Sequence, residues 1–177
     1  AGTISQGQMW AILPQTWVGN LLGSVFVALL YSWGGGGLLP VDTSLVHTVA
    51  LAKTSQSAMA LFFKGALCNW LVCLAIWMAI RTEGAAKFIA IWWCLLAFIA
   101  SGYEHSVANM TLFALSWFGH HSDAYTLAGI GHNLLWVTLG NTLSGVVFMG
   151  LGYWYATPQS ERPAPEKIKQ SEAAANN

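Results

Sequence analysis

Four stretches of this chain, residues 8–33, 54–80, 88–119 and 130–156, carry almost no Asp, Glu, Lys or Arg. Each exceeds the roughly 20 residues that a helix needs to cross a hydrocarbon layer about 30 Å thick. None alternates apolar and polar residues as a barrel strand does, so helix is the structure that can satisfy its backbone in lipid. Composition agrees, with 8% of residues charged and 55% hydrophobic, against roughly 25% charge in a soluble domain. So few charges cannot furnish a water-facing surface. The expectation is an all-α membrane protein of four spans. Residues 1–156 form its membrane domain, and 157–177 form a polar tail with three prolines that reads as disordered.

Lysine and arginine placement sets orientation. Arg81 and Lys87 in the short "RTEGAAK" loop (81–87) share one side with Arg162, Lys167 and Lys169 of the tail. The opposite side holds Lys53 in the 34–53 loop. The 81–87 loop and the C-terminus are therefore expected in the cytoplasm. Tyr31, Trp33, Trp117, Tyr153, Trp154 and Tyr155 stand at predicted span ends, where amphipathic rings favour the headgroup level. Cys68, Cys73 and Cys94 fall inside spans without metal-ligand spacing and read as small apolar side chains.

The first and last spans resemble each other. "GNLLGSVFVALLYSW" (19–33) and "GNTLSGVVFMGLGYW" (140–154) share a Gly-Asn start, place Phe26 within a residue of Phe148, and end in aromatics. With four spans, the first and fourth run in opposite directions, which is the mark of an inverted-topology repeat of the transporter kind. The offset is 121 positions (140 − 19). Applied to residues 101–105, it places their counterpart ahead of residue 1. The sequence is therefore expected to be a fragment, lacking two preceding helices of its first half.

Between Lys87 and His120, Glu104 and His105 are the only Asp, Glu, Lys, Arg or His residues; they lie in "FIASGYEHSVANM" (98–110). A straight helix over 88–119 would measure about 48 Å at 1.5 Å per residue, too long for one upright crossing. Ser101-Gly102 is a kink site, and a break there leaves half-helices 87–100 and 106–119 meeting near the midplane. Irregular backbone at that depth persists only where it lines a cavity or is buried in protein. Free N–H groups at the start of the second half-helix, with the positive end of its dipole, favour an anion. His105 adds a group whose charge changes near neutral pH.

The expected device is thus an anion path with a protonatable gate at His105. Ser101, Gly102 and Glu104 surround the gate, with Glu104 orienting or charging the ring. Asn69, Asn109 and Asn141 are read as lining the path or satisfying the broken backbone, or else as ordinary helix–helix hydrogen bonds. Lys64 is expected to snorkel outward, and His120, His121 and His132 to be solvated or capping.

The segments "KGALCNWLVCLAIW" (64–77), "ASGYEHSVANM" (100–110) and "HNLLWVTLGN" (132–141) occur in this order. With them the whole chain resembles the bacterial formate/nitrite transporter family. The resemblance implies an aquaporin-like protomer of six helices, the second and fifth broken, assembled as a homopentamer in the bacterial inner membrane with one pore per protomer. This chain then corresponds to the third through sixth helices, and the cargo is nitrite or a similar small weak-acid anion. By the same resemblance His105 takes the place of the central pore histidine, Phe98 that of an aromatic constriction and Val72 that of an apolar one. Asn69, Asn141 and Lys53 match polar and basic pore or vestibule positions. Tyr103, where many relatives have Phe, and Trp136, where many have Pro, depart from the pattern.

No enzymatic activity, cofactor, metal or nucleic-acid partner is expected. Within the family the alternative cargo is formate or hydrosulfide. Outside it, the alternative is a membrane anchor holding haem between His105 and His132, disfavoured because these lie at a break and at a helix end rather than paired mid-helix.

Overall fold

In the computed structural model, residues 6–36 and 44–158 are described; all but the first two residues of the expected tail lie outside them. Helix α1 (Gln6–Trp33) is followed by α2 (Leu45–Thr54) and α3 (Ala58–Arg81). The apolar stretch after the 81–87 loop is divided, as expected, into α4 (Ala85–Ala100) and α5 (Ser106–Phe118). These are about 24 and 20 Å long at 1.5 Å per residue. Helix α6 (Leu127–Leu143) then runs through a π-helical segment (Ser144–Leu151) into α7 (Gly152–Ala156). Among the described residues, three helices are long and apolar enough to cross a membrane, and α4 and α5 are shorter apolar helices. Every element among the described residues is helical.

The 34–53 loop departs from expectation, because its final part belongs to α2. The Ser44 hydroxyl marks the start of that helix by accepting the His47 N–H at 3.4 Å. Ser57 and Thr126 cap α3 and α6 in the same way, at 3.4 and 3.1 Å.

Helix α3 packs on α4 and α6, α1 packs on α5, and α2 lies across α5 and α6. The α3–α6 contact requires glycine. A Cβ on Gly65 would stand 2.8 Å from the Val137 carbonyl oxygen, and one on Gly140 would collide with the Phe62 carbonyl. Lipid provides no hydrophobic drive between helices, so close backbone approach through small residues holds them together. Ala50, Met110, Phe113, Tyr125 and Leu134 form a buried cluster joining α2, α5, α6 and the loop before α6. Around these contacts Trp33, Ile80, Phe88, Trp92 and Ile99 are exposed, an apolar surface suited to lipid or further protein.

A capped helix break around His105

Helix α4 ends in a Schellman turn. The Gly102 N–H donates to the Ile99 carbonyl and the Tyr103 N–H to the Phe98 carbonyl, both at 3.1 Å. Gly102 has φ +64°, a left-handed conformation that glycine adopts without penalty. The Ser101-Gly102 pair therefore acts as a helix stop rather than a bend. The chain becomes extended at His105, with φ −115° and ψ 114°, and α5 begins at Ser106.

His105 is the N-cap of α5. Its Nδ1 accepts the Ala108 N–H at 3.3 Å, and its carbonyl accepts the Asn109 N–H at 2.8 Å. An accepting Nδ1 carries no proton, so the neutral ring holds its hydrogen on Nε2. The Phe98 ring, from the last turn of α4, lies beside it at 6.0 Å between centroids.

Asn141, on α6, serves both edges of the break. Its Oδ1 accepts the Ser106 N–H at 3.0 Å, and its Nδ2 donates to the Glu104 carbonyl at 3.0 Å and the Gly65 carbonyl at 2.8 Å. Asn69 in turn donates to the Asn141 carbonyl at 2.6 Å. Gly145 admits that amide, since a Cβ there would stand 2.7 Å from Asn69 Nδ2. Val72 is half-buried on α3, one turn beyond Asn69 and on the same face. The expectation of free N–H groups at the start of α5 is corrected for Ser106 and Ala108, whose N–H groups are taken by Asn141 and by the His105 ring. A helix start enclosed by protein needs such partners.

Glu104 does not turn to His105, and that expectation is corrected too. Its carboxylate is 1% exposed, with Oε1 at 2.8 Å from Lys53 Nζ. It also accepts from Gln56 Nε2 at 3.2 Å and from Asn109 Nδ2 at 2.6 Å. The physical reason is the extended backbone, in which successive side chains point to opposite faces. The geometry that sends His105 one way sends Glu104 the other. Lys53, expected at a vestibule, is thereby ion-paired.

The network continues. Asn109 Nδ2 reaches Asn133 Oδ1 at 2.9 Å, and Asn133 Nδ2 donates to the Lys53 carbonyl at 3.0 Å. Lys64 is turned to protein rather than snorkelling outward: its Nζ donates to Gln56 Oε1 at 2.7 Å. His132 is likewise engaged, Nε2 lying 3.3 Å from the Gln56 carbonyl oxygen. With Lys53 and Lys64 against Glu104, the cluster carries one formal positive charge in excess.

Gln56 and Asn133 escaped the sequence reading because polar residues near a span end usually meet water. His47 also escaped it; the ring is buried, with Nδ1 3.0 Å from Ser116 Oγ. His121, expected to be solvated or capping, lies with Nδ1 3.1 Å from the Gly119 carbonyl oxygen and stacks on Trp117 at 5.0 Å between centroids.

A cleft of about 660 Å³ lies between α1 and α6, lined by Trp17, Asn20, Asn69, Ser106, Thr138 and Asn141 among others. Among the described residues, no group of three or more His, Cys, Asp or Glu is placed to hold a metal ion.

Known proteins share this architecture. The sequence profile of the Formate/nitrite transporter family matches residues 1–155. The chain is 90% identical over 177 residues to the nitrite transporter NirC of Salmonella typhimurium strain LT2, covering 100% of this chain and 66% of that protein. It is 85% identical over 175 residues to the nitrite transporter NirC of Escherichia coli K12, covering 99% and 65%. A solved FNT family ion channel superposes with a TM-score of 0.86 at 92% identity, covering 89% of this chain and 63% of the other. A pentameric formate channel with formate bound superposes with a TM-score of 0.68 at 27% identity, covering 78% and 62%. The chain thus spans slightly less than two thirds of the length of these relatives. Three apolar spans, an interrupted fourth and these matches lead to one conclusion: the chain is that of a multi-pass membrane protein and belongs to the formate/nitrite transporter family.

Proposed function

We propose that the whole protein carries nitrite across the bacterial inner membrane as a homopentamer, with the 81–87 loop and the C-terminus in the cytoplasm. The observation that carries this reading is His105, capping a half-helix inside an interrupted span with Phe98 beside it. The nitrite transporters at 85% and 90% identity support the cargo. The pentameric formate channel supports the assembly. The excess positive charge around Lys53 and Lys64 favours approach of an anion.

An ion moved from water into a dry path loses hydration worth several kcal/mol, so apolar narrowings at Phe98 and Val72 bar a bare anion. His105 offers Nε2–H as a donor, or, when charged, a proton, so that nitrite crosses as or nearly as the neutral acid. Protonating nitrite from imidazolium runs uphill by about 1.4 kcal/mol per pK unit of mismatch. A mismatch of a few units is comparable to the hydration loss it avoids. Charging the ring also displaces the Ala108 N–H from Nδ1, which couples protonation to the cap. Formate is the second reading, favoured by the anion named in the 27%-identical channel.

The test is uptake of nitrite and of formate into liposomes holding the full-length protein, between about pH 5 and 8, where histidine changes charge. His105→Asn should abolish the flux or alter its pH profile. Unchanged flux and profile would remove His105 from the gate, and formate outrunning nitrite would overturn the cargo.

A further inference from the structure

The Gln56 carboxamide stands between two groups of opposite charge. Its Oε1 accepts from Lys64 Nζ at 2.7 Å, and its Nε2 donates to Glu104 Oε1 at 3.2 Å. An ammonium only donates and a carboxylate only accepts, so the amide can face only this way. Lys64 meets Glu104 a second time through the backbone, where the Glu104 N–H donates to the Lys64 carbonyl at 3.4 Å. The His132 ring lies against the backbone of Gln56, with Nε2 3.3 Å from its carbonyl oxygen.

The Glu104 carboxylate therefore has two sources of positive charge, and they differ in access. Lys53 lies 2.8 Å from Oε1 and is 17% exposed, whereas the acid is 1% exposed. Its ammonium rides on a flexible four-carbon stem. Lys64 is tethered, and its charge reaches the acid through Gln56. A buried carboxylate left without positive charge is strongly disfavoured. Taken alone, Lys53 and Glu104 are a neutral pair. With Lys64 added, the cluster has room for one more negative charge.

We propose that Lys64, acting through Gln56, is a positioning residue that keeps Glu104 compensated and so releases Lys53 to receive one small monovalent anion. This rests on the anion transport proposed above and adds which residues set the charge of the receiving site. An arriving anion takes the Lys53 ammonium, while Glu104 keeps the amides of Gln56 and Asn109. The cluster passes from one positive charge to none, and the buried acid never loses its link to Lys64. A divalent anion would leave it negative.

The test is the concentration dependence of nitrite and formate uptake by the full-length protein in liposomes. Lys64→Gln keeps a donor for Gln56 Oε1 and removes the charge. It should raise the half-saturating concentration of both anions about tenfold, as loss of one charge at a receiving cluster does. Maximal flux should stay within about twofold of the parent. Lys64→Arg retains the charge and should bring half-saturation back to within about threefold of the parent. A merely structural role would lower maximal flux and leave half-saturation in place. Half-saturation unmoved in Lys64→Gln, or a rise that Lys64→Arg does not reverse, would overturn this inference alone. Uptake of neither anion by the unaltered protein would overturn it together with the function it rests on. Should Lys64→Gln not assemble, Gln56→Glu supplies the second measurement, because it cancels the Lys64 charge where that charge is bound. The same rise in half-saturation is expected there, and no rise would overturn the inference.

Discussion

The Lys53 ammonium lies 2.8 Å from the Glu104 carboxylate, in a pair whose acid is 1% exposed and whose base is 17% exposed. This pair ties the short helix α2 to the residue just before His105. The break is therefore held on one flank by charge and on the other by the Asn141 carboxamide.

Removing one member of a buried pair strands the other. Glu104→Ala should destabilise the folded protein by about 3–5 kcal/mol. Lys53→Met combined with Glu104→Leu should cost less than the two single changes added together. Denaturant unfolding in detergent reads both quantities, and strictly additive losses would mean that the two residues are not coupled.

Asn141 and Asn69 should differ in effect. Asn141→Leu orphans the Ser106 N–H and the Glu104 carbonyl, each costing about 1–3 kcal/mol. Asn69→Ala removes one hydrogen bond, worth about 1 kcal/mol. Thermal melting of the two variants ought to show the larger drop for Asn141→Leu; equal drops would contradict the two-edged role assigned to that side chain.

Gly102 should resist side chains. At φ +64° a Cβ costs about 1–2 kcal/mol, so Gly102→Ala should melt measurably lower. Gly102→Asn should fall between it and the parent, because Asn tolerates this conformation better. A Gly102→Ala protein that melts with the parent would argue against the helix stop.

The cap function of His105 can be separated from its chemistry. Asparagine is a favoured N-cap, so His105→Asn should keep close to parental stability, whereas His105→Leu should lose about 1 kcal/mol. A flux defect in a fully stable His105→Asn protein then belongs to the imidazole. If the two variants melt alike, the ring does not cap α5.

Spans and break were legible because they depend on local arithmetic. The lengths of charge-free sequence require crossings, and Ser101-Gly102 lowers helix propensity midway along a stretch too long for one of them. The direction of Glu104 was not legible. It follows from the extended backbone at His105 and from the arrival of Lys53 on α2. Helix α2 was itself hidden, being ten residues long in a loop otherwise read by its one basic residue. Gln56 and Lys64 find each other only because α3 brings Lys64 alongside the α2–α3 turn, a relationship no periodicity encodes. Asn141 was legible as a candidate, and its role was resolved only by the approach of α6 to the break.

The π-helical stretch from Ser144 to Leu151 reconciles the two long outer helices with each other. Ahead of it, matched residues stand 121 apart, as Gly19 does from Gly140 and Asn20 from Asn141. Across it three matched pairs stand 122 apart, Phe26 with Phe148 (148 − 26), Leu29 with Leu151 (151 − 29) and Tyr31 with Tyr153 (153 − 31), before Trp33 and Trp154 return to 121 (154 − 33). A π turn closes i→i+5 bonds and so houses one residue more than an α turn. The surplus amino acid is absorbed as a local swelling, and Phe26 with Phe148 and Tyr31 with Tyr153 remain in phase across it.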